Sequence, residues 1–226
     1  YSVNGVAMIP FLIYYSMFGF QRFGDFAWAA GDQRARGFLL GGTAGRTTLN
    51  GEGLQHEDGH SHMQAALIPN CIPYDPTFAY EVAVIVREGI RRMYTEHEDV
   101  YYYMTLLNEN YAHPEMPEGS EHGILKGLHQ IGEHKGSKGH VQLMGSGSIL
   151  QEVIAGAKLL ADEWGIGSDV WSATSFTLLA REAADVERYN RLHPTGKPRT
   201  AYLNEVLAGK EGPIVVSTDY IRAYPD

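Results

Sequence analysis

The residues best equipped for chemistry crowd the stretch from Glu52 to His62, where Glu52, His56, Glu57, Asp58, His60 and His62 occur with Gly51, Gly53 and Gly59 among them. A histidine here can hold or release a proton near neutral pH, and a carboxylate such as Glu52 beside it can set its tautomer and raise its basicity. His56-Glu57-Asp58-Gly59-His60 also matches the zinc-hydrolase pattern H-E-x-x-H. In that pattern two histidines one helical turn apart bind the metal and the glutamate activates water. The chemistry needs a continuous amphipathic helix. Gly59 inside the pattern, Asp58 at a packing position, and Gly51 and Gly53 upstream all oppose one.

A second candidate group is aromatic: Tyr14, Tyr15, Phe18 and Phe20. Tyr14 and Phe20 suit a core. Tyr15 and Phe18 could instead wall a planar heteroaromatic ring, since stacking contributes about 0.5–1.5 kcal/mol beyond burial. Two glycine-rich stretches carry less. Gly145-Ser146-Gly147-Ser148 opens like a dinucleotide fingerprint, but Leu150 stands where the third glycine belongs, so a tight turn with serine capping is expected. Gly41 to Thr47 lacks the spacing and the lysine of a triphosphate loop.

These groups need a scaffold, and the hydrophobic pattern supplies one. Met8 to Tyr15 is a short, nearly continuous apolar run, as in a strand buried on both faces of a parallel sheet, with Pro10 near its start. Helical spacing follows in Phe23, Phe26, Ala27 and Ala30, ending near Gly31, and Gly37 to Gly42 reads as the next strand. The Glu52–His62 cluster then lies beyond the carboxyl end of a parallel strand, where open α/β folds bind ligands. A helix end running into a strand is expected over Ala65–Tyr74. Asp75-Pro76-Thr77 reads as a helix start, with a helix expected from about Phe78 to Tyr94 that carries the stripe Val82, Ile85, Val86, Ile90 and Met93, and Val100–Leu107 should be the strand after it. Tyr101, Tyr102 and Tyr103 should alternate between faces. Asn108 to Gly123 is polar, proline-bearing and aperiodic, hence a linker. A second unit should place strands at Val141–Met144, Asp169–Ser175 and Pro213–Ser217, with helices at Ile149–Trp164 and Glu182–Leu192. The fold class is α/β, with doubly wound parallel sheets.

Composition narrows the partners. Over 226 residues, 18 basic and 27 acidic side chains give a net charge of −9, which argues against nucleic acid as the main partner because phosphate binding needs a basic face. The longest apolar stretch, Val6–Phe20, is broken by Pro10, Ser16 and Gly19 and falls short of the roughly 20 residues a membrane span requires. The single cysteine, Cys71, cannot form an intrachain disulfide, and no basic-then-apolar segment opens the chain, so a reducing, cytoplasmic setting is expected. Because the first residue is Tyr1 rather than Met, the chain is expected to be part of something longer.

The segments IPFLIYYSMFGFQR (9–22), GRTTLNGEGLQHEDGHSH (45–62), VYYYMTLLNENY (100–111) and VQLMGSGSIL (141–150) resemble the homodimeric bacterial pyruvate dehydrogenase family, and the likeness runs along essentially the whole chain. These enzymes are transketolase-like and depend on thiamine diphosphate. The resemblance implies that residues 1–117 are most of a pyrimidine-binding domain, lacking its amino-terminal part, and that 118–226 begin a carboxyl-terminal α/β domain. It implies oxidative decarboxylation of pyruvate with acetyl transfer to a lipoyl domain of the dihydrolipoyl acetyltransferase component, in a homodimer with the cofactor across its interface. By the same resemblance, Phe18 stacks on the aminopyrimidine ring and Tyr15 faces that ring and the substrate. His56 hydrogen-bonds the substrate or its adduct, Glu52 is a carboxylate of the same pocket, and His60 and His62 receive no role. The magnesium and diphosphate ligands, and the glutamate that protonates the pyrimidine, are implied to lie outside this chain, so no metal ligand is expected within it and the chain alone should be inactive. Two rival readings remain: a zinc hydrolase using His56 and His60, and a non-catalytic assembly domain.

Overall fold

The computed structural model describes residues 5–49 and 51–226; residues 1–4, and residue 50 of the 45–62 motif, lie outside that description. The first sheet contains β1 (Phe11–Tyr15), β2 (Phe38–Gly42), β3 (Cys71–Tyr74) and β4 (Tyr101–Thr105) in the order β1-β2-β4-β3, all parallel. Helices α1 (Gly19–Asp32) and α2 (Ser61–Ala66) cover one face, through Phe20, Ala27 and Ala65 against Tyr101 and Tyr103. Helix α3 (Ala79–Ile90), extended by a π turn at Arg91–Thr95, covers the other through Val84, Ile85 and Met93 against Phe38, Tyr74 and Tyr102. The three consecutive tyrosines do alternate between faces, and both faces are buried.

Three expectations for this half change. β1 is an edge strand with exposed Phe11, Leu12, Ile13 and Tyr15 rather than a strand buried on both faces; among the described residues it pairs only with β2. Phe26 leaves the predicted stripe and is 73% exposed. Phe23 inside α1 has non-helical angles (φ −121°, ψ 18°), which breaks the 100° advance that would have aligned Phe26 with Phe23. Helix α3 spans the expected stretch, but its buried stripe shifts: Val84 joins Ile85 and Met93 in the core, while Val82 is only half-buried. At its start Glu81 reaches back to accept from the N–H groups of Thr77 (2.6 Å) and Phe78 (3.0 Å).

The second sheet contains β5 (His129–His134), β6 (His140–Gly145), β7 (Gly167–Ser172) and β8 (Ile214–Ser217) in the order β5-β7-β6-β8. β6, β7 and β8 are parallel and β5 is antiparallel to β7. The hydrophobic pattern gives no sign of β5, because His-Gln-Ile-Gly-Glu-His has no apolar face; pairing with β7 makes it a strand. Helix α5 (Ile149–Leu159) continues as a π turn to Trp164 and packs through Leu150, Val153 and Ala157 on Val141, Leu143 and Val170. Helix α6 (Phe176–Leu192) starts two turns earlier than its spacing suggests, N-capped by Ser175, whose Oγ accepts from Leu178 N at 3.2 Å. The expected linker gives way at its end to α4 (Glu121–Lys126), and a short α7 (Tyr202–Val206) follows α6.

The two sheets are joined by a buried polar seam. Glu81, fully buried, accepts at Oε1 from Ser172 Oγ (2.6 Å) and His129 Nε2 (2.7 Å) while its Oε2 holds the start of α3. Ser175 Oγ donates to Pro73 O (2.6 Å), and Arg181 on α6 donates to the carbonyls of Cys71, Ala66 and Ile68. Burying a carboxylate costs several kcal/mol, which only a full set of donors offsets, and removing one partner of a buried charged pair typically costs about 3–5 kcal/mol. Glu81→Ala is therefore expected to lower the urea midpoint by an amount corresponding to about 3–5 kcal/mol, with Glu81→Gln intermediate. An unchanged midpoint for Glu81→Ala would show that the seam does not hold the sheets together.

Candidate functional site

Three rings meet beyond the carboxyl ends of β1 and β2. Tyr15 ends β1, Phe18 sits at the turn that opens α1, and His56 ends a single 3-10 turn, Leu54–His56, in the long β2–α2 connection. The His56 ring lies 4.7 Å from Tyr15 and 4.8 Å from Phe18, edge-on to each at 75° and 72°, and Tyr15 and Phe18 are 6.3 Å apart. His56 is half-buried rather than enclosed. Tyr15, Phe18, Gly19, Arg22 and Thr43 line a cleft of about 560 Å³; neither His56 nor Glu52 is part of that lining, and His56 meets it through the two aromatic rings. The Arg22 guanidinium lies 4.3 Å from the centre of the Phe18 ring, so a planar ligand must use the other face of Phe18 or displace it. Thr43 on the cleft has φ +49°, a left-handed conformation that β-branched residues avoid.

Glu52 acts on His56 differently from expectation. The His56 Nδ1–H donates to the main-chain carbonyl of Glu52 at 2.9 Å, not to its carboxylate. A carbonyl only accepts, so Nδ1 carries the proton and neutral His56 presents a bare Nε2. The Glu52 carboxylate has a buried oxygen, Oε2, without a hydrogen-bond partner among the described residues, a polar atom left for a bound group to satisfy. Gly51 (φ +83°) and Gly53 (φ +80°) supply the left-handed turns that bring Glu52 and His56 together.

The zinc reading loses its scaffold. His56 ends the 3-10 turn, Glu57 is extended (φ −68°, ψ 102°), and His60 belongs to the start of α2, so no helix sets the two histidines one turn apart. His60 Nε2 faces the Gln21 amide at 3.1 Å, and Asp58 is buried in the turn ahead of α2, accepting from the N–H groups of His60 (3.1 Å) and Ser61 (2.9 Å) and from Ser61 Oγ (2.5 Å). Among the described residues no group of three His, Cys, Asp or Glu side chains could hold a metal ion. At Gly145–Ser148 the tight turn is present, but Ser148 makes no side-chain cap; its Oγ faces Thr48 Oγ1 at 3.3 Å.

Under the loop lies a network that sequence spacing did not reveal. His62 is fully buried; its Nε2 donates to Thr105 Oγ1 (2.8 Å), which donates to Asp75 Oδ1 (2.5 Å), while Tyr220 and Tyr224 pack on its ring. Burial pushes the His62 imidazole down to about 4, against the opposing charge of Asp58. Burial pushes the Asp75 carboxyl up to about 6, against hydrogen bonds from Thr105, Ser146 and Tyr220. Asp58 preceding Ser61 is the one available sequence signal, an Asx turn leading into α2; nothing local marks Arg22, Asp75 or the tyrosines that cover His62.

The two groups titrate with opposite consequences. Between pH 6.5 and about 4 the unfolded chain protonates His62 first, so stability falls as pH falls. Between 3.8 and about 6 the folded chain keeps the Asp75 proton that the unfolded chain releases, so stability falls as pH rises. The slopes oppose each other in wild type. Asp75→Asn is expected to expose the His62 slope, its urea midpoint dropping as pH is lowered from about 6.5; a midpoint flat in pH for that variant would refute the assignment.

With this geometry established, comparison with known proteins is direct. The profile of the pyruvate dehydrogenase E1 component middle domain matches residues 1–114, and that of the transketolase-like C-terminal domain matches residues 127–226. The chain is 62% identical to the pyruvate dehydrogenase E1 component of Cupriavidus necator and 62% identical to that of Escherichia coli K12, in each case along its whole length. It spans only about a quarter of these curated relatives, 26% and 25% of their lengths. In fold it is similar to transketolase from Campylobacter jejuni, with a TM-score of 0.68 at 15% identity over 93% of this chain and 28% of that one. A split-gene transketolase in an inactive β4 tetramer aligns over 99% of this chain and 71% of its own, with a TM-score of 0.54 at 16% identity.

Proposed function

Because the chain belongs to the family of the pyruvate dehydrogenase E1 component middle domain, we propose that it is the portion of a pyruvate-decarboxylating enzyme that grips the pyrimidine end of thiamine diphosphate and manages a proton next to it. Residues 1–117 are the pyrimidine-binding unit and 118–226 the start of the carboxyl-terminal unit, a division supported by the two sheets and the two matched spans. The longer protein is proposed to act in the cytoplasm as a homodimer, oxidising pyruvate and passing an acetyl group to a lipoyl domain of the dihydrolipoyl acetyltransferase component. Its magnesium and diphosphate ligands are assigned to parts of that protein outside this chain. Among the described residues no helix is long and apolar enough to cross a membrane.

The observation that carries this reading is the Tyr15–Phe18–His56 ring cluster, with His56 held by a carbonyl at Nδ1. The residues suit the cofactor's planar end: two partly exposed aromatic rings flank a cleft, and the Glu52 carboxylate keeps an unpartnered oxygen. When bound, thiamine diphosphate supplies the electron sink that lets carbon dioxide leave a 2-oxo acid. Phe18 and Tyr15 orient the ring and exclude water from one side of it. His56 works through Nε2, which accepts a proton from the substrate side when the ring is neutral and donates to a developing oxyanion once protonated. Its contribution counts to the extent that this contact strengthens in the transition state. The Tyr15 phenol is close enough to the imidazole to limit its rotation, and Glu52 sets the tautomer through its main chain.

In the full-length enzyme, His56→Ala is expected to lower turnover on pyruvate by about 10²–10³-fold while leaving thiamine diphosphate affinity little changed. Near-normal steady-state turnover would remove His56 from the chemistry. Phe18→Ala should instead weaken cofactor binding, by roughly two- to tenfold from stacking alone, in a fluorescence titration with magnesium present. Failure of the full-length protein to bind thiamine diphosphate with magnesium would favour the assembly-domain reading.

A further inference from the structure

The connection that carries Glu52 and His56 is held chiefly at its two ends, and the same distant stretch of chain holds both. At the entry, Asp219 Oδ2 accepts from the N–H groups of Arg46 (2.6 Å) and Thr47 (2.9 Å), Oδ1 accepts from Thr47 Oγ1 (2.5 Å), and Arg46 Nε donates to the Asp219 carbonyl (2.6 Å). At the exit, Ile221 N donates to Gly59 O (2.9 Å), and Asp58 N donates to Gly45 O (3.2 Å), which draws the two ends together. Gly45 has φ +84°, and a Cβ there would lie 2.5 Å from the Asp219 carboxylate, so the close approach requires glycine. Between the ends, among the described residues, the hydrogen bonds of residues 48–57 stay within the connection, apart from the Thr48 hydroxyl facing Ser148 Oγ. What sets the position of His56 against Tyr15 and Phe18 is therefore the anchoring of the ends.

We propose that Asp219 is a positioning residue for His56, acting through the main chain of Arg46 and Thr47. The inference rests on the reading of His56 given above. Asp219 is almost fully buried and its carboxylate meets three donors from one two-residue step of chain. Carboxylate hydrogen bonds of this kind are short and directional, so they fix the step rather than merely tether it. The second unit thereby sets the geometry of a proton-transfer group carried by the first. A misplacement of about 1 Å at such a group can cost on the order of 10²-fold in rate.

The test uses the full-length holoenzyme. Asp219→Ala is expected to lower kcat on pyruvate by about 10–100-fold, with thiamine diphosphate affinity within about twofold. Asp219→Asn keeps an oxygen for the two N–H groups and an amide N–H for Thr47 Oγ1, so it should recover most of that loss. Introduced into His56→Ala, the Asp219→Ala change should alter kcat by less than about twofold, because residues acting as one unit are not additive. If Asp219→Ala does not fold, Thr47→Val, which deletes one donor, takes its place in the same cycle and should show a smaller loss that again vanishes without His56. Normal turnover of folded Asp219→Ala or, in its place, Thr47→Val, or an equal loss with and without His56, overturns the proposal alone. Normal turnover of His56→Ala by itself overturns the reading of the site and the proposal with it.

Discussion

Carboxylates taken out of water must be met by hydrogen-bond donors, and three of the buried ones in this chain, Glu81, Asp75 and Asp219, draw donors from the other half of the sequence. Glu81 belongs to the first sheet's helix and is satisfied in part by Ser172 and His129 of the second sheet. Asp75 follows β3 and is approached by Tyr220; Asp219 follows β8 and is satisfied by Arg46 and Thr47. Each arrangement is costly if half made, because an ion stripped of water and short of partners is penalised by several kcal/mol. The sheets therefore have one mutual position in which all these groups are paired, and a small displacement would unpair several at once. Apolar packing alone would not impose this, since hydrophobic contact is non-directional.

That fixed position is what makes a site possible at the sheet's edge. The connection from β2 to α2 contains left-handed glycines and a single 3-10 turn, so it has no rigid element of its own between its ends. Its order is borrowed from below, where Asp58 ties the turn ahead of α2 and His62 is enclosed by Tyr220 and Tyr224, and from its ends, where the chain after β8 meets it. His56 then needs only local contacts: a carbonyl to choose its tautomer and two rings to restrict its rotation. Using a carbonyl rather than a carboxylate at Nδ1 leaves the imidazole free to change charge without breaking a buried ion pair, in keeping with the proton-handling role proposed for it.

The surface away from the seam is different in kind. β1 exposes Phe11, Leu12 and Ile13, α1 exposes Phe26 and Trp28, and β8 exposes Ile214 and Val215. Apolar side chains on sheet edges are a liability unless something covers them. In relatives about four times longer that align along the whole of this chain at 62% identity, there is ample polypeptide for such cover.

How much of this could be read without coordinates divides along the range of the forces involved. Alternation and helical spacing act over a few residues, so the α/β class, most strands of both sheets, and the extent of α3 were legible; so was the proximity of Tyr15, Phe18 and His56, through the likeness of their segments to a family. Pairing acts between distant segments. For that reason β5 and its antiparallel direction, the edge position of β1, the burial of Val84 rather than Val82 on α3, and the departure of Phe26 from its stripe were not legible. The sequence determined which side chains were available for chemistry and which short stretches would be strand or helix, because those depend on neighbours in the chain. Only the tertiary structure decided that Glu52 acts through its carbonyl, that His56 and His60 do not share a helical face, and that Asp219 lies against Thr47, 172 residues away. A hydrogen bond requires two groups within about 3 Å, and no local pattern encodes which remote donor will arrive there.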